Sequence, residues 1–344
     1  MTVLLELRER LRGFYGKYES YLLPVIKFLL GLTVFWLINA NIGYMERLDS
    51  TPLILVMALA CSILPMAVML LAAGALLTLH CYALSMQAGV MMFLLFAVMY
   101  LLYFRFTPQH AYNVLLTPIA YLLGIPYVLP VAIGLLQHPA AVIPTICGVI
   151  TYYFLNGIMA NETSIAASGE GEEEIIAKFQ EIINQFTANR EMYLVIAIFV
   201  ITTLVVYAIR RLSMDYAWTV AIITGMLMQY LGFFMGDMQM GITINSITLT
   251  FGCGISAAVL LVIQFFFFNL DYTRTERVQF EDDEYYYYVK AIPKRYVSTR
   301  AKTVKKISTN HSDHSNYSNH RTSSDVDPDV DGEQEELSDG DSRD

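Results

Sequence analysis

Lys27, His80, His138 and Asp237 are ionisable residues set within, or at breaks of, the long apolar stretches of this 344-residue chain. Asn39, Asn41, Asn156, Gln229, Asn245, Gln264 and Asn269 complete the polar set there. An ionisable group at membrane depth is expensive and marks a functional site by default. His80 precedes Cys81 and Tyr82, His138 precedes Pro139, and Asp237 follows Gly236. These three are the acid–base candidates for an intramembrane enzyme, but they fall in separate segments and form no catalytic constellation. No HExxH supports zinc proteolysis, and no GxxxxGK[ST] cradles a nucleotide phosphate. Gly252-Cys253-Gly254-Ile255-Ser256 lacks a histidine partner, and Asp237 lacks a second aspartate. Cys61, Cys81, Cys147 and Cys253 lie in apolar segments without a CxxC, as small buried hydrophobes do. His311, His314 and His320 are too loosely spaced for a metal site. The sequence therefore assigns no catalytic residue, metal or cofactor, and it reads as a non-enzyme.

The elements that must position these residues are membrane helices. The chain is 56% hydrophobic and 15% charged, against about 25% charged for soluble domains. Residues 21–40, 192–209 and 254–268 are apolar all round, which excludes the alternation of a β-barrel. The expected fold is all-α and polytopic, with about eight to ten membrane segments. The net charge of −9 resides in residues 310–344, which hold eleven acids and two arginines. No basic stripe marks a nucleic-acid partner, so the bilayer is the first partner.

Lysine and arginine favour the cytoplasmic side. Arg8, Arg10, Arg12, Lys17, Arg105, Arg210, Arg211 and the cations from Arg274 to Lys306 place both termini in the cytoplasm. Residues 1–20 read as a cationic in-plane helix, with Arg8, Arg10 and Arg12 meeting lipid headgroups. The N-terminal membrane region, 21–160, then contains two blocks, 52–104 and 111–159, that run in opposite directions. Each block holds three tight crossings, or one crossing plus a re-entrant hairpin of two half-helices. The second option suits Pro65, Gly124, Pro126, Pro130, Pro139 and Pro144 better, because proline removes a helix hydrogen bond. Leu64-Pro65-Met66-Ala67-Val68-Met69-Leu70-Leu71 is echoed by Leu129-Pro130-Val131-Ala132-Ile133-Gly134-Leu135-Leu136. Broken helices in an inverted repeat are a transporter architecture. The residues expected to line a cavity are Pro65, Pro126, Pro130, His80, His138, Asn156, Gln229 and Gln264.

Residues 161–191 form an outer acidic loop, in which Ile175, Ile176, Phe179, Ile182, Ile183 and Phe186 make one apolar stripe of a helix. Residues 192–270 cross three times. Residues 271–306 are cytoplasmic, β-prone and basic, with Arg277–Phe280 and Tyr285–Ile292 as hairpin strands. Residues 307–344 should be disordered. Val278–Lys290 (VQFEDDEYYYYVK), Tyr44-Met45-Glu46-Arg47 and Phe104–Pro108 resemble uncharacterised multi-pass membrane proteins of Firmicutes-type bacteria. That resemblance implies a bacterial cell membrane and no particular activity. The functional reading is permease-like transport of a neutral or amphiphilic solute, alone or with a separate cytoplasmic ATPase. The alternative is a non-transporting scaffold whose Tyr285, Tyr286, Tyr287 and Tyr288 dock a partner protein.

Overall fold

The computed structural model describes residues 2–166, 172–241, 245–267, 276–281 and 285–291. The chain is an all-α polytopic membrane protein. Its described helices are α1 (Thr2–Ile42), α2 (Thr51–Ile63), α3 (Met66–Leu84), α4 (Met86–Phe106), α5 (Ala111–Leu122), α6 (Val128–Leu136), α7 (Val142–Ala160), α8 (Glu162–Ala166), α9 (Glu172–Thr187), α10 (Arg190–Arg211), α11 (Ala217–Met240) and α12 (Ser246–Phe267). The apolar part of α1 and helices α3, α4, α7, α10, α11 and α12 are long and apolar enough to cross a membrane. One end of the bundle carries Arg105, Arg210 and Arg211; it is called the arginine face below, and the other end the far face.

The N-terminal segment joins the first span in one helix, kinked where Tyr18 leaves helical geometry (φ −115°, ψ 18°). Arg10 pairs with Glu6 at 2.7 Å on the surface. Arg8 departs from the headgroup role expected of it. It is 2% exposed, donates to the Phe265 carbonyl at 3.2 Å and lies over the Phe265 ring. The last turn of a helix leaves carbonyls unpaired, and a buried guanidinium satisfies one of them here.

Both proline-bearing octets begin the second arm of a helical hairpin. In the first block, α2 runs back along α1. Gly31 of α1 lies against Ala58 of α2 and Met69 of α3. The turn at Leu64-Pro65 faces Lys27, and α3 then returns to the far face, where His80 meets Asn39 and Met45. Thirteen residues make α2 about 20 Å long, short of a bilayer core of about 30 Å. Helix α4 completes the block by crossing to the arginine face. In the second block, α5 and α6 have 12 and 9 residues, so neither spans the core. Their outer ends meet at the arginine face. Asn113 Nδ2 donates to Gln137 Oε1 at 2.8 Å, and Gln137 Nε2 donates back to Asn113 Oδ1 at 3.3 Å. Asn113 also reaches the Ala141 carbonyl. The α5–α6 pair is thus re-entrant, and α7 supplies the single crossing. The blocks insert their hairpins from opposite faces. Their prolines do not interrupt long helices: Pro65 caps α3, Pro126 lies in the α5–α6 turn, and Pro130 and Pro144 sit in first turns, where a missing N–H is tolerated.

Helix α7 is the most buried span and contributes to two cores. Cys147, Phe154, Leu155 and Ile158 pack with α1–α5, and Val149 and Tyr153 pack with α6 and α10–α12. Glycines set the closest approaches. A Cβ at Gly148 would lie 2.5 Å from Thr117, and one at Gly134 would lie 2.9 Å from the Thr203 carbonyl oxygen. Near the far face, α9 buries Ile182 while Ile175, Ile176 and Ile183 stay exposed, and Gln185 donates to the Gly157 carbonyl. Strands β1 (Glu276–Glu281) and β2 (Tyr286–Ala291) pair antiparallel, with Phe280 opposite Tyr287 and Val278 opposite Val289. The acidic turn at 282–284, the basic residues beyond 291 and the tail at 307–344 lie outside the described residues. Gly134→Ala should lower stability by about 1–3 kcal/mol, the usual cost of overpacking, because backbone cannot step aside. Thermal unfolding of the purified chain in micelles measures it, and an unchanged midpoint would refute the close α6–α10 contact.

Candidate functional site

The two hairpin turns expose backbone groups at membrane depth, where every such group needs a partner. At the first turn Lys27 Nζ donates to the Leu64 carbonyl at 3.2 Å. Lys27 lies nine residues beyond the Tyr18 kink, roughly 13 Å along the axis. At the second turn Gly124 adopts φ +72°, and Gly124 N–H and Ile125 N–H close the end of α5 onto Tyr121 and Ala120. Gln229, central in α11, donates through Nε2 to the Tyr127 carbonyl at 3.1 Å and to the Gly225 carbonyl. These two bonds fix the amide orientation, leaving Gln229 Oε1 buried without a partner among the described residues. Thr202 Oγ1 and Ser256 Oγ are in the same state. Thr202 sits beside Gly225, one turn from Gln229. Gly252, one turn from Ser256, packs against Tyr127 and the Gly124 carbonyl. Thr203 donates to the Pro130 carbonyl. A buried, uncharged polar layer therefore surrounds the start of α6, a half-helix whose N-terminus carries a partial positive charge.

A cavity of about 90 Å³ lies between the two blocks. It is lined by the far half of α1 (Val34 to Ile42), by Leu70, Ala73 and Leu77 of α3, by Val114 to Leu122 of α5, and by Thr151 to Met159 of α7. Its polar liners are Asn41, Thr151, Tyr152 and Asn156. Thr151 donates to the Cys147 carbonyl and Asn41 to the Leu37 carbonyl, whereas Asn156 has no hydrogen-bond partner among the described residues. Such a cavity can take up apolar surface and offer one carboxamide to it.

Of the residues expected to line a cavity, Asn156 lines the one between the blocks and His138 a separate hollow. Pro65 is exposed at the first turn, and Pro126 and Pro130 are buried where α6 packs. They do not face each other, because each marks the start of a helix whose following residues do the packing. His80 is fully buried, but as a loop anchor. Met45 N–H donates to His80 Nδ1 at 3.2 Å, so the proton resides on Nε2, which donates to Asn39 Oδ1 at 2.9 Å. His138 is exposed at the arginine face in a separate hollow with His110, whose pKa burial lowers, with His138 adding to the effect. Gln264 donates to Thr219 and ties α12 to α11. Asn245 caps α12. Tyr285, Tyr286, Tyr287 and Tyr288 are exposed.

Several residues that matter carried only weak sequence signals. The hydroxyls of Thr202, Thr203 and Ser256 interrupt apolar runs, but serine and threonine are common in spanning helices. Arg210 caps α6 by donating to the Gly134 and Leu135 carbonyls, a contact between residues 75 apart that no local pattern announces. Tyr121 and Tyr152 stack at 4.2 Å, and Tyr153 donates to Glu191 at 2.9 Å. At the far face Tyr44 has its pKa pushed up to about 12, first by burial and then by the nearby charge of Glu162.

Comparison with known proteins gives no matching family model, no matching curated protein and no matching solved structure.

Two measurements check the site. Gln229→Leu should destabilise the chain by about 0.6–1.7 kcal/mol, the range of interhelical membrane hydrogen bonds; unfolding at the wild-type midpoint would remove Gln229 as the holder of the α6 turn. Tyr44 has a folded pKa above the ordinary 10.0, so its neutral form stabilises the fold fully below pH 10. That contribution is lost as pH rises toward about 12. The phenolate absorbance missing from Tyr44→Phe should appear at the higher pH, and ionisation near the ordinary value would contradict the Glu162 contact.

Proposed function

We propose that the chain is a permease-like protein that moves a neutral or amphiphilic solute between its two hairpin-bearing blocks. The observation that carries this reading is the cavity at the block interface, flanked by broken helices inserted from opposite faces. Transporters of inverted-repeat design place their sites there and line them with interrupted helices. The arginine face would be the cytoplasmic side of a bacterial membrane, with both termini on it and a separate ATPase as a candidate partner. The uncharged lining favours a solute without formal charge. Single cysteines at Leu115, Leu122 and Asn156, in a chain freed of its four native thiols, test the idea. At least one should react with a membrane-impermeant thiol reagent, and the pattern should depend on which side the reagent is applied. If all three resist from both sides while a cysteine at Asp215 reacts, the transport reading fails.

The exposed tyrosines of the β hairpin favour a second reading, a scaffold that presents this strip to a partner. A chain lacking residues 275–344 that inserts normally and fully complements a deletion strain would remove it.

A further inference from the structure

We infer that the interblock cavity is a binding site for a single-chain amphiphile with an uncharged, hydrogen-bonding head group, and that Asn156 reads the head. The inference names the solute class of the proposed permease and rests on that reading for its purpose. Polarity in the cavity is graded. The two carboxamides, Asn41 and Asn156, lie near the far-face ends of α1 and α7, one and four residues from the last residue of each helix. The deeper wall is hydrocarbon, made by residues such as Leu70, Ala73 and Leu115. Asn41 uses one of its two Nδ2 N–H groups on the Leu37 carbonyl. Asn156 makes no protein hydrogen bond among the described residues, and its carboxamide is partly buried at the far-face end of the cavity. It offers two donors and an acceptor to whatever occupies the cavity.

The same lining restricts the ligand. No lysine, arginine or histidine contributes to it, so a carboxylate or phosphate head would be desolvated without a cationic partner. A headless hydrocarbon would leave Asn156 unsatisfied. The volume, about 90 Å³, is well below the roughly 300–1,000 Å³ of drug-sized pockets, so it encloses only the head and first carbons of one narrow chain, and the rest of the chain must leave through the mouth. Leu122 is 47% exposed at the edge of the cavity, and it gives such a chain an apolar mouth beside the α5–α6 turn.

The test uses the full chain in micelles and three photoreactive probes of equal length: a diazirine fatty alcohol, the matching fatty acid and the matching alkane. Crosslinked peptides are mapped by mass spectrometry. The alcohol should label the α5 and α7 walls saturably and be displaced by its unlabelled form. The ionised acid should label there about tenfold less, because a buried carboxylate lacks a partner. Asn156→Leu should weaken alcohol labelling about three- to tenfold, the loss of one net hydrogen bond. Ala73→Leu should block it by filling the cavity, leaving labelling of lipid-facing helix surfaces intact. Equal labelling by alcohol and alkane, preference for the acid, or indifference to both variants would overturn the inference. Saturable labelling in a chain whose thiols stay sealed retains the site and removes transport. Reactive thiols without saturable labelling retain transport and overturn the amphiphile.

Discussion

A peptide carbonyl inside a bilayer has no water to accept from, and each one released by a broken helix must find a donor in the protein. This chain breaks its helices at membrane depth twice, at Leu64-Pro65 and at Gly124–Tyr127. Each time, a side chain from a full-length span supplies the donor: Lys27 from α1 and Gln229 from α11. Those bonds add to the packing of α1 against α2 and to the Thr203 and Arg210 bonds that hold α6. With them, two short arms can stop inside the membrane and leave space between the blocks. The cavity depends on the half-helices, and the half-helices depend on two hydrogen bonds from outside their own blocks.

The same logic explains where the cations went. Lys27, Arg210 and Arg8 each donate to carbonyls at the C-terminal end of a helix, respectively α2, α6 and α12. Such ends carry unpaired acceptors and partial negative charge, so one cation answers both. Long basic side chains can do this because their stems tolerate hydrocarbon while their heads reach a polar partner. Arg8 and Arg210, which serve as topology markers in the sequence, and Lys27, which stands there as an intramembrane cation, are therefore structural caps. His80 plays a different part, accepting from the Met45 N–H and donating to the Asn39 side-chain oxygen to pin the loop after α1.

Most carboxamide side chains in the membrane region are thus committed to partners within the fold, which leaves few for a solute. Gln229, Asn39, Asn113, Gln137 and Gln264 all have partners within the fold. Asn156 is different, because it faces the interblock cavity unpaired. Helix α7 carries it on the element shared by both cores, so a change at this position is in contact with the packing of both halves. That places the candidate reader where binding and rearrangement of the two blocks would meet.

By itself, the sequence determined the helical membrane class, because long stretches apolar all round leave no soluble alternative. It set out opposed directions for the two blocks as an expectation, from clustered arginines and odd crossing numbers, and left three tight crossings or a re-entrant hairpin open in each; the 12- and 9-residue arms of α5 and α6 came from the structure. The two octets fall at the start of α3 and of α6. Tertiary structure alone decided what those places do. Proline position is a local property, legible one residue at a time, whereas a cavity is bounded by side chains from α1, α3, α5 and α7 that lie up to 125 residues apart. Which helix face turns inward in an all-apolar stretch has no periodic signal, because lipid and core favour the same side chains. Only packing could assign Asn156 to the cavity and Pro65, Pro126, Pro130, His80 and Gln229 to the frame around it.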